Sequence, residues 1–221
     1  MSGATFVLIP GAGGDARYWS LVARGLRARG HQAVPVALPA GDDSAGWSEY
    51  ADAAVDAVGD RTGVIVVAQS LGGFSAPLVC ERVRVELLVL LNAMIPIPGE
   101  TGEAWWSNTG QGDAMREHLI GLGLSPEDAD DDDIVYFHDV AAEVREEAFG
   151  QGEPQQSWTP MSQPWPRDTW PDVPTRVLVG RDDRLFPADF QRRVARERLG
   201  IEADEIKGGH LLALSEPDLL V

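Results

Sequence analysis

Val64-Ile-Val-Val-Ala-Gln-Ser-Leu-Gly-Gly73 decides how this chain is read. The first six residues form a short apolar run, rich in β-branched side chains and without polar alternation. Such a run fits a strand covered on both faces of a parallel sheet. Two glycines follow, and Leu71 to Arg84 then reads as a helix. Ser70 therefore stands on a sharp strand-to-helix turn, its hydroxyl held clear of the sheet and close to the free N–H groups at the helix start. A turn that tight needs small residues two before and two after the serine, and Ala68 and Gly72 supply them. The plain alternative is a serine that only caps the helix, so the rest of the chain has to arbitrate.

Size and composition narrow the possibilities. At 221 residues, 44% hydrophobic and 24% charged, the chain has the makings of one globular domain with a substantial core. No apolar run reaches the roughly 18–20 residues of a membrane span. Thr5 leads directly into Phe6-Val-Leu-Ile9 without the charged start and cleavage site of a secretory signal, so a cytoplasmic location is expected. The formal charge of −17 argues against nucleic acid or an anionic membrane as partner. Cys80, the one cysteine, lies among Leu78, Val79 and Val83 and reads as a buried thiol. No metal or organic cofactor is expected. The acidic run from Glu127 to Asp133 lacks the glycine and closing glutamate of a calcium loop and reads as a solvated helix start.

Further apolar runs at Thr5–Pro10, His31–Leu38, Leu87–Asn92, Thr175–Gly180 and Ile201–Ile206 alternate with helical patterns at Tyr18–Arg29, Trp47–Val58 and Pro187–Leu199. That alternation implies right-handed crossovers and an α/β fold, a mostly parallel open sheet with helices on both faces. The rhythm breaks between residues 95 and 173, which hold five of the seven tryptophans and eight prolines. Helical patches stand out only at Asp113–Leu122 and Asp139–Phe149. This stretch is expected to be an inserted helical cap on a core made of residues 1–94 and 174–221. Its aromatic content argues against disorder.

A serine hydroxyl needs a base, and the base needs an orienting group. Of the four histidines, His210 in Lys207-Gly-Gly-His-Leu-Leu follows a strand and sits on a flexible glycine pair. His31 lies at the wrong end of the sheet, and His118 and His138 fall in the cap. Asp182 and Asp183 both follow the strand Thr175–Gly180, and either could serve as the carboxylate, with Asp183 the stronger choice. Ser70, the acid and His210 thus all follow strands, at the edge where open parallel sheets bind ligands.

With these residues in that order, the chain resembles the α/β-hydrolase superfamily over nearly all its length, strongly in residues 5–92 and 174–217. The family's acid is marked by G-x-x-D with a proline four residues on, which Gly180, Asp183 and Pro187 match, and Gly-Gly-His marks His210. The resemblance implies an oxyanion loop at Ile9-Pro10-Gly11-Ala12-Gly13-Gly14, with proline where the family usually has histidine. The amides of Ala12 and Leu71 are then the oxyanion donors, with Gly11 and Gly13 as alternatives to Ala12. It also implies a sheet of about six strands and a final helix beginning near Ser215.

The expected function is a serine hydrolase cleaving a small, largely apolar ester or thioester through an acyl-enzyme on Ser70. Trp105, Trp106, His138 and Trp158 are candidates for the substrate pocket, with Trp165 and Trp170 in reserve. One or two of the tryptophans are expected to line it and the others to pack the cap. A hydroxynitrile lyase is the non-hydrolytic alternative, disfavoured because Leu211 stands where those enzymes carry lysine. A small-molecule receptor on the same fold is the alternative from outside the enzymes.

Overall fold

The apolar runs do pair side by side. A computed structural model describes residues 3–150, 152 and 155–221. Along the chain it has β1 (Thr5–Ile9), α1 (Ser20–Ala28), β2 (Gln32–Pro35), α2 (Trp47–Val58), β3 (Val64–Gln69), α3 (Gly72–Cys80) and β4 (Val85–Leu91). Five helices follow: α4 (Gly102–Thr109), α5 (Gln111–Gly121), α6 (Asp132–Val135), α7 (Ala142–Phe149) and α8 (Thr159–Ser162). The chain then returns through β5 (Thr175–Gly180), α9 (Ala188–Leu199), β6 (Asp204–Ile206) and α10 (Leu212–Ser215). The six strands form one sheet in the order β2-β1-β3-β4-β5-β6, and every neighbouring pair is parallel.

Alternation along the strands splits the core in two. Val7, Ile9, Val64, Val66, Ala68, Leu88, Leu90, Val177 and Val179 pack with Trp47, Tyr50, Phe74 and Val194 from α2, α3 and α9. Leu8 and Leu91 face the other way, against Trp19, Val22 and Leu26 at α1 and Leu212 and Leu214 of α10. Cover on this second face is thinner, so Ile65 and Val67 of β3 are only half-buried. The strand is therefore less fully enclosed than its sequence implies.

Register brings the functional edge together. Ile9 pairs with Ala68, Gln69 with Leu91, Leu91 with Leu178, and Gly180 with Ile206. The loops after β1, β3, β4, β5 and β6 thus leave the sheet side by side, as separate strands of one parallel sheet require.

Several boundaries depart from the sequence reading. The edge strands β2 and β6 are shorter than His31–Leu38 and Ile201–Ile206, since each has a neighbour on one side only. Helix α3 stops at Cys80 rather than Arg84; Pro77 inside it has no N–H to offer the Gly73 carbonyl. The last α-helix begins at Leu212, not Ser215, and a 3₁₀ turn over Pro217–Leu220 follows it.

The segment between β4 and β5 is anchored by its aromatics. Trp105 Nε1 donates to Ile95 O at 3.2 Å, and Trp165 Nε1 donates to Phe74 O at 3.0 Å on α3. Arg198 of α9 reaches over to pair with the buried Glu100 carboxylate, with one contact at 2.9 Å. Asp131 accepts from Asp133 N at 2.9 Å and caps α6, so the acidic run is a helix start. Helix α4 had no counterpart in the sequence reading. Thr101 Oγ1 caps it by accepting from Ala104 N at 3.0 Å, and Gly110, at φ 68°, ends it.

Candidate active site

Ser70 has φ 51°, a left-handed conformation that costs a non-glycine residue roughly 1–2 kcal/mol. The strain is held from both sides: Ser70 N donates to Leu91 O at 3.3 Å, and Ser70 O accepts from Gly73 N at 3.1 Å and Met94 N at 2.9 Å. The glycines are needed for close approach. A Cβ on Gly73 would lie 1.9 Å from Met94 O, and one on Gly72 would lie 2.7 Å from Pro10 O. The serine turn therefore presses against both the β1 loop and the β4 loop.

His210 Nε2 lies 3.1 Å from Ser70 Oγ, and its Nδ1 lies 2.9 Å from Asp183 Oδ2. A carboxylate can only accept, so Nδ1 carries the proton and Nε2 offers a lone pair to the serine hydroxyl. Asp183 is wholly buried and His210 is 2% exposed. The carboxylate is compensated: Oδ1 accepts from Leu185 N at 2.9 Å and Phe186 N at 2.8 Å, and Oδ2 also accepts from Gln191 Nε2 at 3.2 Å. Phe186 and Tyr136 hold the imidazole edge-on, at centroid distances of 5.0 and 5.7 Å. Asp182, the other acid, instead ties two loops together, its Oδ2 accepting from Gly208 N at 3.1 Å.

Three buried amide side chains do work that sequence reasoning missed. Gln69 Nε2 lies 3.1 Å from His210 Nε2 and donates to His210 O at 3.3 Å. Asn92, at φ 45° just beyond β4, donates to Gly209 O at 3.0 Å and His210 O at 3.1 Å and accepts from Gly180 N at 2.6 Å. It pins the histidine loop to the end of β5. Gln191 of α9 donates to Phe186 O at 2.6 Å as well as to Asp183. The available signal was a polar residue on an otherwise apolar strand end or helix face.

The oxyanion candidates both line the cavity beside Ser70. Among the described residues, neither Ala12 N–H nor Leu71 N–H donates to another backbone group. Gly13 N is engaged with Gln156 Oε1 at 3.0 Å, which separates it from Ala12.

A cavity of about 570 Å³ opens onto Ser70 and His210. Among the described residues its wall includes Met94, Trp106, Tyr136, Phe137, Trp158 and Met161, with Asp132 as the charged residue and no Lys or Arg. Burial, with the Asp132 and Asp183 carboxylates nearby, pushes the Tyr136 phenol up to about 12, so it stays protonated. Two pocket candidates are corrected. Trp105 is 1% exposed and packs against Phe186 and Phe190 instead of lining the cavity. His138 also lies off the cavity: its Nε2 faces Gly209, 2.9 Å from where a Cβ there would sit. Burial holds the His138 imidazole below its ordinary range. Trp165 and Trp170 pack against each other, 6.0 Å between centroids, leaving Trp106 and Trp158 as the tryptophans on the wall.

Cys80 is half-buried at the end of α3, less enclosed than the sequence implies, and burial drives its thiol up to about 12. Among the described residues, no three His, Cys, Asp or Glu side chains converge as a metal-binding group, and no helix is long and apolar enough to cross a membrane.

Known proteins place this architecture. No curated protein matches the sequence. Among solved structures, polyneuridine aldehyde esterase is similar with a TM-score of 0.78 at 19% identity, covering 99% of this chain and 96% of that one. A pyrethroid hydrolase from Sphingobium faniae has a TM-score of 0.76 at 21% identity, covering 98% and 94%. A methylesterase from Arabidopsis has a TM-score of 0.72 at 19% identity, covering 98% and 95%. Identities this low speak to the fold. The model of the alpha/beta hydrolase family matches residues 6–221, and the chain belongs to that family.

Proposed function

We propose that the protein is a serine hydrolase that cleaves a small, largely apolar ester or thioester through an acyl-enzyme on Ser70. One observation carries the reading: a strained serine, a buried imidazole and a buried carboxylate in hydrogen-bonded series, 3.1 and 2.9 Å apart, with the serine and imidazole opening onto a largely apolar cavity. Ser70 Oγ attacks the carbonyl carbon while His210 Nε2 takes its proton. Asp183 holds the ring in the required tautomer and offsets its positive charge. The Ala12 and Leu71 amides receive the developing oxyanion, each donor lowering the barrier by roughly 3–4 kcal/mol. His210 returns the proton to the leaving group, then takes one from the water that attacks the acyl carbon and passes it to Ser70 Oγ as the acid departs.

The wall sets the substrate class. Aromatic and thioether side chains favour an apolar acyl or alcohol group, and among the described residues the wall carries no Lys or Arg to pair with a carboxylate. Residues 95–173 act in this reading as a cap, supplying Trp106, Tyr136, Phe137 and Trp158. The similar solved structures include esterases and hydrolases, which agrees with this reaction class.

Hydrolysis of p-nitrophenyl esters of graded chain length tests the proposal. Turnover that rises with apolar chain length until the cavity is filled, and vanishes in Ser70→Ala, is the expected result. Tight binding of apolar esters without turnover at any length would instead favour the receptor reading.

A further inference from the structure

Gln69 occupies the position before the nucleophile, and its side chain is 3% exposed. Its amide nitrogen reaches two atoms of the same histidine, ring Nε2 at 3.1 Å and main-chain O at 3.3 Å. The second contact fixes the first. A carbonyl oxygen can only accept, so the NH2 end of Gln69 must face His210 O, and the same group then points its other hydrogen at Nε2. Because Nδ1 is proton-bearing against Asp183, Nε2 has one lone pair, shared between Ser70 O–H and Gln69 N–H.

We propose that Gln69 is a positioning residue that grips His210 at ring and backbone and holds its imidazole in the neutral, proton-accepting form. Protonation at Nε2 would remove the lone pair and set two N–H groups against each other. The charged groups around the ring are Asp183 on the loop after β5, Asp132 on the cavity wall, and Asp139, which accepts from Gly209 N at 2.6 Å, with Arg184 near His138. His138 stands behind the same glycine, burial holding its ring below the ordinary range, and the Tyr136 phenol meets the imidazole edge-on. The whole chain adds a formal charge of −17. During turnover the same opposition speeds return of the proton from His210 to the leaving group. Gln69 Oε1 lies on the far side, against Gly11, where a Cβ would come within 2.6 Å, so Gly11 makes room for this arrangement.

The inference rests on the assignment of His210 as base, and its test has a readout that needs no turnover. Proton-carbon NMR follows the His210 ring, assigned by its loss in His210→Ala, through a pH titration of the full chain and of Gln69→Leu. The His210 midpoint is expected to rise in Gln69→Leu by about half to one pH unit, the worth of one hydrogen bond. The acid limb of kcat for an apolar ester should move with it. In the unsubstituted chain, a Gln69 side-chain amide proton should shift with the same midpoint as the ring. That arm stands even where Gln69→Leu does not fold. A folded Gln69→Leu with an unmoved or lowered midpoint, or an amide signal indifferent to the His210 titration, overturns the proposal. Loss of all esterase activity with these NMR shifts intact would count against the hydrolase reading alone.

Discussion

Replacing Asp183 by asparagine removes one charge and leaves the shape. The structure indicates where the damage falls. Oδ1 accepts from Leu185 N and Phe186 N, so the asparagine oxygen settles there and its NH2 takes the Oδ2 place, facing Gln191 Nε2 and His210 Nδ1. His210 can meet an NH2 only by accepting at Nδ1, which moves its proton to Nε2. Ser70 Oγ, 3.1 Å away, then confronts an N–H and has no base. The same exchange in a serine protease costs about 10⁴ in kcat, near 5.5 kcal/mol of barrier at roughly 1.4 kcal/mol per decade. The fold should lose far less, about 1–2 kcal/mol, since Gln191 keeps Phe186 O as a partner. Asp183 is absent from the cavity wall, so KM should hold. The assay is p-nitrophenyl butyrate hydrolysis beside urea unfolding, with Asp182→Asn as the control. Asp182 binds only at the loop, and its loss should cost under about tenfold. A folded Asp183→Asn that keeps more than about a tenth of wild-type kcat, or an Asp182→Asn that matches its loss, refutes the reasoning.

Asn92→Ala strands Gly209 O and Gly180 N and puts alanine at φ 45°, so urea unfolding should report a loss of about 3–5 kcal/mol. Trp105→Ala and Trp106→Ala separate packing from binding. The first empties a fully buried site and should cost about 3–5 kcal/mol of stability, whereas the second should chiefly raise KM for long-chain esters. Gly73→Ala would press a methyl to 1.9 Å from Met94 O, so soluble folded protein should be scarce and inactive; a variant with unchanged melting temperature contradicts the close packing of the serine turn on the β4 loop.

The core was legible because central parallel strands are largely apolar, as the run Val64–Gln69 is. Its glycine-flanked serine, the two acids after Thr175–Gly180 and the Gly-Gly-His element each follow a strand, so topology alone brings them to one edge. Edge strands were harder, since β2 and β6 lack a second neighbour to extend their pairing. The segment between β4 and β5 was least legible. Its helices are short, and α4 is made by a Thr101 cap and tertiary contacts of Trp105, not by a sustained helical period. Adjacent tryptophans show the same limit: composition marks Trp105 and Trp106 alike, and only packing sends one to the core and the other to the cavity. Gln69, Asn92 and Gln191 escaped notice because a buried amide declares its role only through its partners.

The most direct trial of Ser70 as an activated nucleophile is fluorophosphonate labelling of the full chain followed by peptide mass analysis. The account predicts one adduct, on the peptide carrying Ser70, absent in Ser70→Ala and sharply reduced in His210→Ala. An unlabelled Ser70 in folded protein, or labelling as fast without His210 as with it, would contradict it.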